Sequence, residues 1–167
     1  MSAASDTTYR STTNLLTGLL THPDQLAALY ADRELVPKAV EEGLRWEPPV
    51  TFNMRIAMQD TEVAGVQIPA GSLMEVWNGA ANRDPARFSN PDQFNLFRED
   101  AGRYFTFSAG PHVCLGQHLG RLEITRALNA ILDNLPNVRL DPDYPPPKVV
   151  GINGRAAPQI RILFDRR

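Results

Sequence analysis

Residues 107 to 116 read Phe107-Ser108-Ala109-Gly110-Pro111-His112-Val113-Cys114-Leu115-Gly116, and they hold the only cysteine of the chain. No other stretch restricts the fold as strongly. Glycines at 110 and 116 tolerate turns that residues with a Cβ refuse, and they let the backbone approach something flat and bulky. His112 puts a hydrogen-bond donor two residues before the sulfur. Directly after Cys114 the sequence enters its strongest helical pattern, 115–135. A lone cysteine is ordinarily a small buried hydrophobe; in this frame it is a thiolate offered to a metal. A single cysteine excludes an internal disulfide, and cysteine with three histidines is too sparse for a structural zinc site.

The periodicity around this stretch predicts helices first. Leu15, Leu16, Leu19 and Leu20 recur at helical spacing and predict a helix over 6–20, closed by His22-Pro23. Pro23 suits the first position of a second helix running to Ala31. A third helix is expected from Leu35 to Trp46, halted by Pro48-Pro49. Short β signals at 51–58, 61–66 and 72–77 predict a small antiparallel sheet, with turns at Gln59-Asp60 and Ile68-Pro69-Ala70-Gly71. Residues 84 to 113 lack periodicity, and a run that long signals function or disorder. Within 115–135, Leu119, Leu122, Ala127, Leu128, Ile131 and Leu132 approximate one face. Short strands are expected at 138–140, 148–152 and 159–163 around a proline-rich turn at 145–147. There is no internal repeat. The expected fold class is mainly α with small antiparallel β-sheets (α+β), in one domain over 1–167.

A net charge of −2 gives no general attraction to nucleic acid or an anionic membrane surface. No segment approaches 18 consecutive apolar residues, and the first residues have neither the basic start nor the apolar run of a signal peptide. Cytoplasm is the expected compartment, with no nucleic-acid and no membrane partner. Lys38 and Lys148 are the only lysines, so the positive charge is almost all arginine, a bias for which the sequence offers no mechanism.

The pattern Phe-x-x-Gly-x-His-x-Cys-x-Gly resembles the haem-ligand loop of the cytochrome P-450 family, and other segments follow in the family's order. Glu42-Gly43-Leu44-Arg45 resembles its Glu-x-x-Arg helix motif. Phe94-Asn95-Leu96-Phe97-Arg98 resembles the meander that supplies a second arginine. Ala3-Ala4-Ser5-Asp6-Thr7-Thr8 resembles its acid-alcohol segment. The resemblance implies the C-terminal, haem-ligand portion of a soluble bacterial haem-thiolate monooxygenase, with haem b held through the Cys114 thiolate. Phe107, Gly110 and Gly116 would shape the loop, and Arg55 and His112 would meet the haem propionates. Asp6 and Thr7 would manage protons for bound oxygen. Glu42, Arg45 and Arg98 would form one buried charge network. The implied partners are O2, a small organic substrate, and a ferredoxin-type redox partner with its reductase, met by Arg103 and Arg121 beside the Cys loop. Val50 to Asn53 would line the substrate pocket.

Departures from the pattern carry expectations of their own. Ala4 and Ser108 stand where glycine is usual, and Ser108 fits without strain if its φ is negative. With only five residues before Asp6, a long oxygen-side helix is not expected. Everything upstream of the acid-alcohol segment in the family is absent, so the expected chain is a truncated one. It would expose the apolar faces of the 6–20 and 115–135 helices, associate in solution and hold haem weakly. The competing readings are a non-catalytic haem-binding module and a haem-free domain with Cys114 buried.

Overall fold

The computed structural model describes residues 3–100 and 103–166. It begins with helix α1, Ala3–Thr21, followed by α2, Pro23–Ala31. Pro23 sits at the start of α2, where its missing N–H costs nothing. A 3-10 turn at Arg33–Leu35 leads into α3, Val36–Trp46. Helix α1 is longer than the periodicity suggests, and the short N-terminal lead does not prevent a long helix. Its threonines are β-branched and poor helix formers. Thr12, Thr13, Thr17 and Thr21 satisfy their hydroxyls on carbonyls four residues earlier.

After α3 come β1, Asn53–Ile56; β2, Thr61–Val63; β3, Val66–Ile68; and β4, Leu73–Val76. The expected strand over 61–66 is instead a hairpin, with Val63 opposite Val66 and Ala64-Gly65 turning at φ +50° and +82°. Positive φ at both central residues matches the twist of the flanking strands. β1 pairs with β4, Asn53 opposite Val76, so two separate two-stranded ladders replace one sheet. A short helix, α4, Asn78–Ala81, follows. Helix α5 spans Gln117–Asn134. Then β5, Arg139–Leu140, pairs with β6, Ile162–Leu163. Residues 148–152 form no strand, only one bridge between Val150 and Ala156.

Helices α1, α3 and α5 pack on one another around Leu15, Leu19, Val40, Leu44, Ile124, Leu128 and Leu132. The leucine face of α1 is therefore buried, contrary to expectation. The face of α5 divides: Leu128 and Leu132 enter the core, while Leu119 and Leu122 stay about half exposed and Leu115 beside them is fully exposed. Helices α1 and α3 meet at Gly43, where an added Cβ would lie 2.8 Å from Leu15 Cδ1. Phe94 covers Gly18 in the same way, at 2.7 Å.

The aperiodic segment is ordered by charge. Glu42 and Arg45 are both 0% exposed and Arg98 is 7% exposed. The Glu42 carboxylate accepts Arg45 Nε at 2.8 Å and Nη2 at 2.9 Å in a bidentate pair, and Arg98 Nε approaches both oxygens at 3.2 and 3.3 Å. The Asn95 N–H adds a further bond at 2.8 Å. Both guanidiniums spend most of their remaining donors on backbone carbonyls, and Arg98 Nη1 also reaches Asp100 Oδ1 at 3.3 Å. Arg45 reaches the carbonyls of Asn82, Pro91 and Gln93, and Arg98 those of Ser89, Asn90 and Gln93. Backbone groups that no helix or strand can satisfy are thus satisfied by two side chains. Burial works against the charge of Asp100, yet the Ser89 N–H and Arg98 hold its carboxyl below the usual range.

Glu42→Gln leaves two guanidiniums buried against a neutral amide, so it should destabilise the chain by about 3–5 kcal/mol. Denaturant titration measures this, and an unchanged midpoint would mean the network carries no stability. Gly43→Ala should cost about 1–3 kcal/mol, because the added methyl must push α1 from α3. The same titration checks it.

Candidate functional site

The chain between Tyr104 and Gln117 is a loop closed on itself. Ser108 N–H turns back to the Phe105 carbonyl at 2.8 Å, and Cys114 N–H meets the Phe107 carbonyl at 2.9 Å. Between these closures Gly110 takes φ +64°, which favours glycine. It opens a 3-10 turn over Gly110–His112, with Pro111 fixing the next φ. Ser108 also lies at positive φ, +61°, so the unstrained negative φ expected of it is not what the fold provides. A serine there bears a steric cost that the usual glycine would not.

The loop delivers Cys114 to the head of α5. Gly116 is the N-cap of that helix and no side chain caps its first N–H groups, leaving the positive end of the backbone dipole close to the sulfur. Cys114 is exposed, which removes the reading of a buried thiol. It lies on a cleft of about 380 Å³ between α1 and α5, within the range of small-molecule and cofactor sites. Thr7, Thr8 and Ser11 of α1 form one wall. Phe107, His112, Cys114, Gly116, Leu119 and Gly120 line the cleft from the Cys loop and α5, together with Val50 and Asn53.

Two glycines test whether this cleft suits a flat group. Gly116 has φ −85°, a conformation any residue adopts. A Cβ there would touch only Cys114 Sγ, at 3.9 Å. Gly120 sits inside α5, where glycine costs about 1 kcal/mol relative to alanine, and its Cβ would meet only Thr8 Oγ1 at 4.0 Å. Neither backbone conformation nor packing demands glycine at these positions. Together with the exposed sulfur they leave a bare floor that fits a planar cofactor ligated through Cys114.

The other expected site residues divide. Thr7 lines the cleft, but Asp6 does not; its carboxylate accepts Arg10 Nε at 2.8 Å, and Arg10 Nη1 continues to the Gly154 carbonyl at 2.5 Å. Asp6 lies in the first turn of α1, so it is not that helix's cap. The side chain of Ala4 lies outside the described residues. Arg55 stands two residues from Asn53 on the same side of β1. Among the described residues its one hydrogen bond goes to the Met54 carbonyl. Gly110 shapes the loop without lining the cleft. Arg103 is exposed, whereas Arg121 is not a free surface cation: it pairs with Glu41 at 2.7 Å.

Residues missed in the sequence complete the site. Ser11 lies one helical turn beyond Thr7, a spacing that was legible. Asn82 had no local signal. It is fully buried, accepts Phe105 N–H at 2.6 Å, and donates to Thr106 Oγ1 at 2.9 Å and to the Arg45 carbonyl at 3.3 Å. It therefore joins the charge network to the base of the Cys loop.

The profile of the cytochrome P-450 family matches residues 1–152. Cytochrome P-450 105C1 of a Streptomyces species is 49% identical over 123 residues, covering 73% of this chain and 32% of its relative. Cytochrome P-450-terp of a Pseudomonas species is 39% identical over 165 residues, covering 98% of this chain and 38% of the relative. The chain thus spans roughly a third of the length of these curated relatives. Among solved structures, CYP109E1 from Bacillus megaterium in complex with testosterone superposes with a TM-score of 0.91 at 28% identity, over 98% of this chain and 45% of that one.

Ser108→Gly should remove the positive-φ strain and stabilise the chain by about 1 kcal/mol, raising Tm by roughly 2–4 °C. A calorimetric Tm equal to or below that of the parent chain would show that Ser108 is not strained.

Proposed function

Because the chain belongs to the cytochrome P-450 family, whose membership implies a haem with a cysteine thiolate ligand, we propose that it is the haem-ligand part of a monooxygenase. The observation that carries this reading is the exposed Cys114 thiol on a glycine-bared cleft floor facing the hydroxyls of α1. Cys114 would be the sole axial protein ligand of haem b. When bound, that group supplies reductive activation of O2 and transfer of one oxygen atom to an organic substrate.

The protein's own residues hold, orient and supply protons. Gly110 sets the turn and Phe107 anchors the Cys114 amide. Gly116 leaves room above the sulfur. His112, on the cleft, and Arg55, beside it on β1, are the groups that would bind haem carboxylates by charge-assisted hydrogen bonds. Thr7 presents a hydroxyl to the cleft, with Thr8 and Ser11 beside it. Asp6, next to Thr7 in α1 and paired with Arg10, would feed protons to Thr7. A small organic substrate would lie against Val50 and Asn53. Electrons would come from a ferredoxin-type partner and its reductase, with Arg103 as the exposed cation near the loop. No helix among the described residues is long and apolar enough to cross a membrane.

Haem-loaded chain, reduced and exposed to carbon monoxide, should show the strongly red-shifted Soret band of thiolate ligation. Cys114→Ala should abolish that band. Its persistence in the variant would overturn the assignment.

A further inference from the structure

Of the two arginines expected to face a redox partner, Arg121 is engaged elsewhere. Arg121 Nε donates to Glu41 Oε1 at 2.7 Å and Nη2 to the Tyr104 hydroxyl at 3.2 Å. Its Nη1 reaches the Gln117 side-chain oxygen at 3.2 Å. The Tyr104 hydroxyl in turn donates to Glu41 Oε2 at 2.6 Å, so both carboxylate oxygens are taken. The centre of the guanidinium lies 4.4 Å from the centroid of the Phe107 ring. Burial, then the adjacent Glu41 carboxylate, push the Tyr104 phenol well above its ordinary range, so it remains a neutral donor. Burial opposes the Arg121 charge, but the bonds to Glu41 and Tyr104 outweigh it and raise its pKa.

We propose that Arg121 is a positioning residue for the cysteine loop: Glu41 and Tyr104 hold its guanidinium over the Phe107 ring, and the Phe107 carbonyl fixes the Cys114 amide and thereby the thiol. The need for such a clamp is visible in the loop. Residues 109–116 are exposed, Ser108 is at φ +61°, and a Cβ on Gly110 would meet nothing within 4 Å. A strained conformation persists only where its surroundings over-determine it. Past the Asn82 and Thr106 bonds at its base, the loop is held among the described residues by its own backbone bonds and by the packing of Phe107. Glu41 from α3, Tyr104 from the segment before the loop and Gln117 from α5 hold the guanidinium from three directions. A planar, forked cation stacks and donates in this way, and a lysine does not.

The value of the clamp to a haem ligand rests on the reading above, so the test has a haem-free arm. In the chain without haem, hydrogen exchange of the Cys114 amide is followed by NMR. Arg121→Met, which keeps the apolar stem, should speed it about tenfold, the loss of roughly one hydrogen bond's protection, with α1 amides unchanged. Arg121→Lys should not restore protection, and Tyr104→Phe should give a smaller increase. In the haem arm, Arg121→Met should lower the share of the red-shifted carbon monoxide band and raise that of the unshifted form. Cys114 exchange within about twofold of the parent chain in Arg121→Met overturns the proposal. If that variant does not fold, unchanged exchange in Tyr104→Phe overturns it. Parent chain lacking the red-shifted band, with exchange responding as described, refutes the haem reading and leaves the clamp standing.

Discussion

A single carboxylate organises this chain. Glu42 is fully buried, and an unpaired ion there would be worth several kcal/mol of destabilisation. The fold meets that requirement with two guanidiniums, Arg45 one turn along the same helix and Arg98 from 56 positions away. Those guanidiniums then dictate where the backbone between Asn82 and Asp100 must run, because its carbonyls are their only other acceptors of consequence. A stretch without helix or strand is therefore placed almost as strictly as a helix. Asn82 passes the constraint onward to Phe105 and Thr106, and Thr106 closes on the Leu44 carbonyl at 2.6 Å. The Cys loop is thus tied to α3 by polar bonds as well as by the packing of Tyr104 and Phe107 on the core.

The site gives up stability for access. The thiol is exposed, the loop holds a serine at positive φ, and α5 carries a glycine within its first turns where alanine would be favoured. Each choice is unfavourable for the isolated polypeptide. Each leaves the cleft floor flat and the sulfur uncovered. Rigidity comes from elsewhere: the α1–α3–α5 core below and the polar scaffold of Glu42, Arg45 and Asn82 behind. Leu115, Leu119 and Leu122 remain largely uncovered on the same end of α5. That end therefore contributes little to the chain's own core, and α5 is anchored through Ile124, Leu128 and Leu132 further along.

Features encoded over a few residues were legible. The Phe107–Gly116 frame, the proline start of α2, and the i,i+3 placement of Glu42 and Arg45 all depend on local spacing. The hairpin at Ala64-Gly65 was missed because an alternating apolar run hides a two-residue turn whose only marker is one glycine. Residues 148–152 read as a strand, but they lack a partner long enough to form a ladder and settle as one bridge. The side chains that connect the site are invisible to spacing altogether. Asn82 meets Arg45 across 37 positions, and Glu41 meets Arg121 across 80. Arg121 in particular read as a surface cation because nothing nearby in sequence announces Glu41, Tyr104 or Phe107 as its neighbours.

The arginine bias, which the sequence leaves without a mechanism, acquires one in the structure. Besides Arg45 and Arg98, Arg83 bridges Glu47 and the Trp46 carbonyl, Arg155 bridges Glu47 and the Gly151 carbonyl, and Arg10 bridges Asp6 and the Gly154 carbonyl. Each joins a carboxylate to backbone at a helix end or in an irregular segment. That task needs donors pointing in several fixed directions from one side chain. Guanidinium has five in a plane, whereas an ammonium is a point charge with three. A chain whose functional half is mostly loop needs many such junctions. Lysine at these positions would preserve the net charge and lose the geometry.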